Sequence, residues 1–153
     1  MTLRRPRRVD GFAYRGPYRY LLTFCTANRQ PIFVAPQAAN LVTQCVRQTA
    51  GEESFLLIAH CVMPDHVHLL VEGQSDAAEL KRFMKIAKQR ITYSLREKQG
   101  MKCALQEGYH DWVLRREEST EDFIRYILAN PVRAGIVEDP EDYPFSGCIF
   151  PLT

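Results

Sequence analysis

His66 and His68 stand one residue apart in the stretch MPDHVHLLVEG, inside an otherwise apolar run. Side chains alternate along a strand, so both imidazoles project from one face with Leu70 and Glu72, while Val67, Leu69 and Val71 take the other. Two neighbouring imidazoles can supply two ligands of a divalent metal, with a third from another element. The pair also suits a half-exposed strand that binds nothing, and the spacing leaves both readings open.

Sixty residues on, Tyr126 and Asn130 lie four apart on a helical pattern whose apolar stripe is Phe123, Ile124, Ile127 and Leu128. At about 100° per residue they share one flank of that helix. Facing the histidine strand, they would add an amide oxygen to two nitrogens and set a phenol beside the metal. A metal that polarises a phosphodiester lets a nearby phenol attack phosphorus, dividing strand cleavage into two transesterifications. The plainer alternative is a boundary tyrosine reaching water, with Asn130 ending the helix before Pro131.

The elements that must position these groups follow from periodicity. Residues 18–26 (YRYLLTFCT) read as a strand after Gly16 and Pro17. Pro36 opens a helix in which Ala39, Val42, Cys45, Val46 and Thr49 recur until Gly51. Residues 54–62 and 66–72 read as strands joined by Met63, Pro64 and Asp65, hence an antiparallel hairpin. From about Asp76, the residues Leu80, Phe83, Met84, Ala87, Ile91 and Leu95 mark a long amphipathic helix that Gly100 ends. Residues 109–115 read as a fourth strand, and Ser119 with Asp122 offers a cap for the helix of Tyr126. The order β, α, β, β, α, β and then a helix predicts an α+β, ferredoxin-like (split βαβ) antiparallel sheet with helices packed on one face, plus the C-terminal helix carrying the tyrosine.

The chain has 153 residues, 46% hydrophobic and 25% charged, which is ordinary for one domain. Its boundaries read as a basic segment over 1–17, a domain over 18–146 and a short tail over 147–153. No apolar run approaches the roughly 20 residues needed to span a bilayer, and the basic N-terminus lacks the apolar core of a secretory signal. A cytoplasmic location without membrane association is expected. Cys25, Cys45, Cys61, Cys103 and Cys148 form no CxxC pair and read as reduced thiols.

Net charge is only +2, yet its distribution is uneven. Arg4, Arg5, Arg7, Arg8, Arg15, Arg19 and Arg29 face Asp10 alone within residues 1–30, and a second basic block fills 81–102. Eight acids against Arg125 and Arg133 occupy 117–142. Such polarity can draw a polyanion to one side, although basic helix faces are also often just solvated. Arg15, Arg19, Arg29, Lys81, Lys85 and Lys88 are the expected nucleic-acid contacts, with Tyr18 and Tyr20 as possible stacking partners.

The segments YLLTFCTANRQPIF, CVMPDHVHLLVEG, LKRFMKIAKQRIT, GYHDWVLR and YILANPVRAGIVEDPEDYPFS together resemble the HUH-type single-tyrosine transposases. The resemblance is to their insertion-sequence-200-like branch, with the REP-associated tyrosine transposases. It implies a ferredoxin-like enzyme that cuts and rejoins single-stranded, often hairpin, DNA with Mg²⁺ or Mn²⁺. Position by position, His66, His68 and Asn130 match the family's metal site and Tyr126 its nucleophile, giving a 5′-phosphotyrosine and a free 3′-hydroxyl. Relatives include homodimers in which the tyrosine helix serves the partner's histidines. One departure is at Ala104, Leu105 and Gln106, where many relatives carry tryptophan before glutamine. A non-catalytic hairpin-binding protein and a phosphodiesterase using activated water are the competing readings, and Tyr109 is the second choice of nucleophile.

Overall fold

Alternation governs the first strand of the computed structural model, β1 (Arg19–Cys25). Tyr20, Leu22 and Phe24 enter one buried cluster, and Leu21 enters another on the opposite face. The structure describes Val9 and residues 11–102 and 105–151; Arg4, Arg5, Arg7, Arg8, Asp10, Cys103 and Ala104 lie outside the described residues.

After β1 come two short 3-10 turns, α1 (Pro36–Glu52), β2 (Phe55–Val62), β3 (His66–Gly73), α2 (Leu80–Gln99) and β4 (His110–Val113). Then follow α3 (Thr120–Leu128), the single turn α4 (Asn130–Arg133) and β5 (Ser146–Cys148). The sheet order is β4-β1-β3-β2-β5, with every neighbouring pair antiparallel. Because β3 lies between β1 and β2, the unit β1–α1–β2 is a split βαβ crossover, and the expected α+β ferredoxin-like arrangement is the one adopted.

Helices cover the sheet on both sides. Residues Val42, Val46, Phe83, Met84 and Ile91 of α1 and α2 pack with Val67, Leu69 and Val71. Phe123, Ile124 and Ile127 of α3 pack with Leu21, Ile58, Cys61 and Leu70 on the other face. Each fully buried side chain of this size contributes roughly 1.5–3 kcal/mol relative to exposure, so the three residues of α3 are enough to seat that short helix. The face that receives α3 is the face of His66 and His68.

Two stretches flanking residues 18–146 also join the fold. The sheet continues past residue 146, because β5 pairs Ala59 with Cys148 and Cys61 with Ser146. A half-buried triplet carries too little alternation to announce a strand. Residues 11–17 also fold onto the domain: Tyr14 is buried and stacks on Tyr20 at 6.3 Å, and Arg15 bridges to Glu79. Gly73 seals this junction, since a Cβ there would lie 1.9 Å from the Gly16 carbonyl oxygen. Among the described residues no helix is long and apolar enough to cross a membrane.

The turn between β2 and β3 is held from outside. Thr26 N–H donates to the Asp65 carbonyl at 3.0 Å, and Phe33 N–H to that of Pro64 at 2.9 Å. Thr26 itself is fully buried, with its hydroxyl donating to the Gln30 carbonyl at 2.7 Å. The segment after β1 thereby fixes Asp65 at the foot of the histidine strand.

Candidate active site

Each histidine has one ring nitrogen already engaged. Asp65 Oδ1 lies 2.7 Å from His66 Nδ1, and Thr23 Oγ1 lies 2.9 Å from His68 Nδ1. An Nδ1–H donated to an oxygen leaves Nε2 with its lone pair, the tautomer a metal requires. Thr23 reaches His68 because the β1–β3 register sets them directly opposite. The two imidazole centroids are 4.8 Å apart with planes at 87°.

A third donor, an amide oxygen, is offered by Asn130 in the turn after α3. Asn130 Nδ2 donates to the carbonyls of Tyr126 and Ile127, at 3.2 Å each, at the carbonyl end of α3. With the nitrogen so engaged, the Asn130 oxygen is the atom that hydrogen-bonds the His68 ring, so the two groups converge. Two imidazole nitrogens and one amide oxygen form a donor set that suits a divalent cation completed by water or phosphate oxygens. Among the described residues no group of three or more His, Cys, Asp or Glu side chains could hold a metal, and Asn130 is the amide placed against the histidine pair.

Burial pushes the His68 imidazole down to about 3, helped by the charges of His66, Arg133 and Arg29 and opposed by Asn130. His68 is therefore neutral at physiological pH. Its cross-strand neighbour Cys61 is pushed up to about 12 by burial and stays a protonated thiol. Burial works to raise the Asp65 carboxyl, but hydrogen bonds from Arg29 and His66 outweigh it and hold the group below its ordinary range.

Tyr126 stands on α3 with its ring centroid 6.2 Å from that of His68 and the planes at 76°. The tyrosine and the histidine meet within one chain. Arg29 is also brought here, donating from Nε to Asp65 at 2.9 Å with Nη2 3.4 Å from His66 Nδ1. It sits in an unusual turn, for Asn28 and Arg29 have φ of 56° and 54°. Such left-handed pairs are uncommon for side-chain-bearing residues and are held here by the buried Thr26 beneath them.

The other expected contacts lie elsewhere. Arg15 pairs with Glu79 and Arg19 with Glu72, the latter also donating to Thr120. Lys81 and Lys85 are exposed on α2, which covers the opposite face of the sheet. Lys88 donates to the carbonyls of Gln106 and Gly108 at 2.8 and 2.6 Å, so it clamps a loop. Tyr109 packs against the α1–α2 cluster, across the sheet from the histidines. Tyr18 is 43% exposed, whereas Tyr20 is fully buried and unable to stack on a base.

Two residues at the site escaped the sequence reading. Thr23 had only its register with His68 to mark it. Arg133 stacks on Tyr126, its guanidinium carbon 4.3 Å from the ring centroid, and carried a readable sign in its i+7 spacing from Tyr126.

Residues 16–128, which include Thr23, both histidines and Tyr126, match the family described as Transposase IS200 like. A protein of Haemophilus influenzae assigned to the REP-associated tyrosine transposases is 26% identical over 110 residues, covering 65% of this chain and 62% of its own. The REP-associated tyrosine transposase of Escherichia coli K12 is 31% identical over 109 residues, covering 69% of this chain and 62% of its own. The chain thus spans 62% of the length of both curated relatives. A solved REP-associated tyrosine transposase bound to a REP hairpin superposes with a TM-score of 0.76 at 20% identity, over 92% of this chain and 82% of that one. A Deinococcus radiodurans protein assigned as a transposase gives 0.53 at 21% identity, over 82% and 97% respectively. At these identities the structural likenesses speak to the fold, and the sequence match over residues 16–128 carries the classification: the chain belongs to the IS200-like transposase family.

Proposed function

We propose that the protein cuts and rejoins single-stranded, hairpin-forming DNA, with Tyr126 as nucleophile and His66, His68 and Asn130 as ligands of Mg²⁺ or Mn²⁺. The observation that carries this reading is the meeting of Tyr126 with His68 in one chain, beside two imidazoles whose Nδ1 atoms are both engaged. The bound cation supplies Lewis-acid polarisation of a phosphate oxygen. Everything else is done by the chain. Tyr126 Oη loses its proton to solvent and bonds to phosphorus; the P–O3′ bond breaks and the leaving oxygen takes up a proton. The products are a 5′-phosphotyrosine and a 3′-hydroxyl, and attack by a 3′-hydroxyl reverses the step, releasing the tyrosine.

Neutral His68 keeps a lone pair for the cation, and Arg29 adds a positive charge that suits an arriving phosphate. With Tyr126 and His68 meeting in one chain, catalysis requires no homodimer, and the likeness to a hairpin-bound transposase supports a DNA hairpin as partner. The test is incubation with Mn²⁺ and single-stranded oligonucleotides from the regions flanking the gene. A covalent adduct that chelation suppresses is expected. Cleavage with no adduct would point to activated water, and hairpin binding with no cleavage to a binding protein.

A further inference from the structure

We propose that Arg133 is a positioning residue that holds the Tyr126 ring in place for attack, an inference that rests on the reading of Tyr126 as nucleophile. The local sequence NPVRAG builds the support. Ile136 N–H donates to the Pro131 carbonyl at 2.9 Å and Gly135 N–H to that of Val132 at 3.0 Å. With Gly135 at φ 74°, this is a Schellman ending that makes Arg133 the last residue of the α4 turn. Helical side chains lean toward the helix N-terminus. Tyr126, Asn130 and Arg133, at i, i+4 and i+7, consequently share one stripe that runs across the junction of α3 and α4.

Two contacts tie Arg133 to the tyrosine. Nη2 donates to the Tyr126 carbonyl at 2.8 Å, and the planar guanidinium lies over the ring with its carbon 4.3 Å from the centroid. The first contact alone would make Arg133 a cap for the carbonyl end of α3, which any cation can provide. The second is more particular, because a guanidinium fork can keep the carbonyl contact while lying over the ring, whereas a lysine ammonium offers a single point charge for the two tasks. Negative charge grows on the phenol oxygen as its proton departs. A cation on the ring face therefore binds more tightly as attack proceeds, besides restricting the ring on its half-exposed helix flank.

The proposal is tested by single-turnover adduct formation with Mn²⁺ and saturating single-stranded DNA, comparing wild type, Arg133→Ala and Arg133→Lys. Loss of positioning of this kind slows chemistry by roughly 10- to 100-fold. Arg133→Ala is expected to show that loss with DNA affinity little changed, Arg133→Lys to recover little of it, and added guanidinium ion to restore part of the alanine variant's rate. Full activity of Arg133→Lys, or an alanine variant impaired only in DNA affinity, would overturn the proposal. A readout independent of cleavage uses 3-fluorotyrosine at position 126. Its fluorine resonance should move toward that of a free surface tyrosine in Arg133→Ala. A wild type that forms no adduct refutes the nucleophile reading alone; an unmoved resonance refutes the positioning role of Arg133.

Discussion

Thr23 Oγ1 faces His68 Nδ1 at 2.9 Å across the β1–β3 ladder, so a hydroxyl on one strand engages a ring nitrogen of an imidazole on the next. Second partners of this kind typically change metal affinity by roughly 10- to 100-fold when removed. Thr23→Val keeps the β-branched shape and loses only the hydroxyl. Calorimetric titration with Mn²⁺ should show affinity falling within that range while the unfolding midpoint stays near that of the wild type.

His60, on β2 and 7% exposed, gives the fold a pH dependence away from the metal site. Burial first, and then the charge of Arg47, push its imidazole down to about 4. The unfolded chain binds a proton near pH 6.5 while the native chain refuses it until about pH 4. The stability of the neutral form is complete above pH 6.5 and is lost as the pH falls toward 4, by on the order of 3 kcal/mol. In urea titrations across this window, His60→Gln should flatten the slope relative to wild type.

Lys88 and Lys85 should behave differently despite lying three residues apart on α2. Lys88 bridges two carbonyls of the 106–108 loop, so Lys88→Met should cost about 1–2 kcal/mol of stability. Lys85 is exposed, and Lys85→Met should leave the unfolding midpoint within about 0.5 kcal/mol. Denaturant unfolding of the two variants separates the clamp from the solvated lysine.

Gly73→Ala should destabilise by several kcal/mol, because the new methyl would sit 1.9 Å from a backbone oxygen of Gly16 and cannot be relieved by a rotamer change. Protein that remains folded should show this as a large shift in the thermal midpoint, with loosening of residues 11–17 visible in hydrogen exchange.

Strands β1, β2 and β3 and the three longer helices were legible because each buries a regular face, whereas β4 has no buried residue and was read from its run of β-forming side chains. Residues of β3 such as Val67 and Leu69 alternate cleanly with His66 and His68, and α2 keeps its 3.6-residue stripe from Leu80 to Leu95. β5 was not legible, since Ser146, Gly147 and Cys148 become a strand only by pairing with β2. The histidine pair, Tyr126 and Asn130 were visible as motifs. Thr23 was invisible because its meaning lies in strand register; Arg133 carried the i+7 spacing but was passed over because the sequence reading ended the tyrosine helix at Asn130, whereas α4 extends the same stripe. The expected contact Lys88 is instead taken up by the carbonyls of Gln106 and Gly108, a tertiary pairing that helical periodicity does not show.

The most direct test of the account is peptide mapping after incubation with Mn²⁺ and single-stranded DNA from the gene's flanks. Trypsin should release residues 126–133 as one peptide, and the expected result is that this peptide carries a 5′-linked nucleotide on Tyr126, absent in Tyr126→Phe, which still binds the DNA. Nucleotide attached to any other residue, or cleavage by Tyr126→Phe at the wild-type rate, would contradict it.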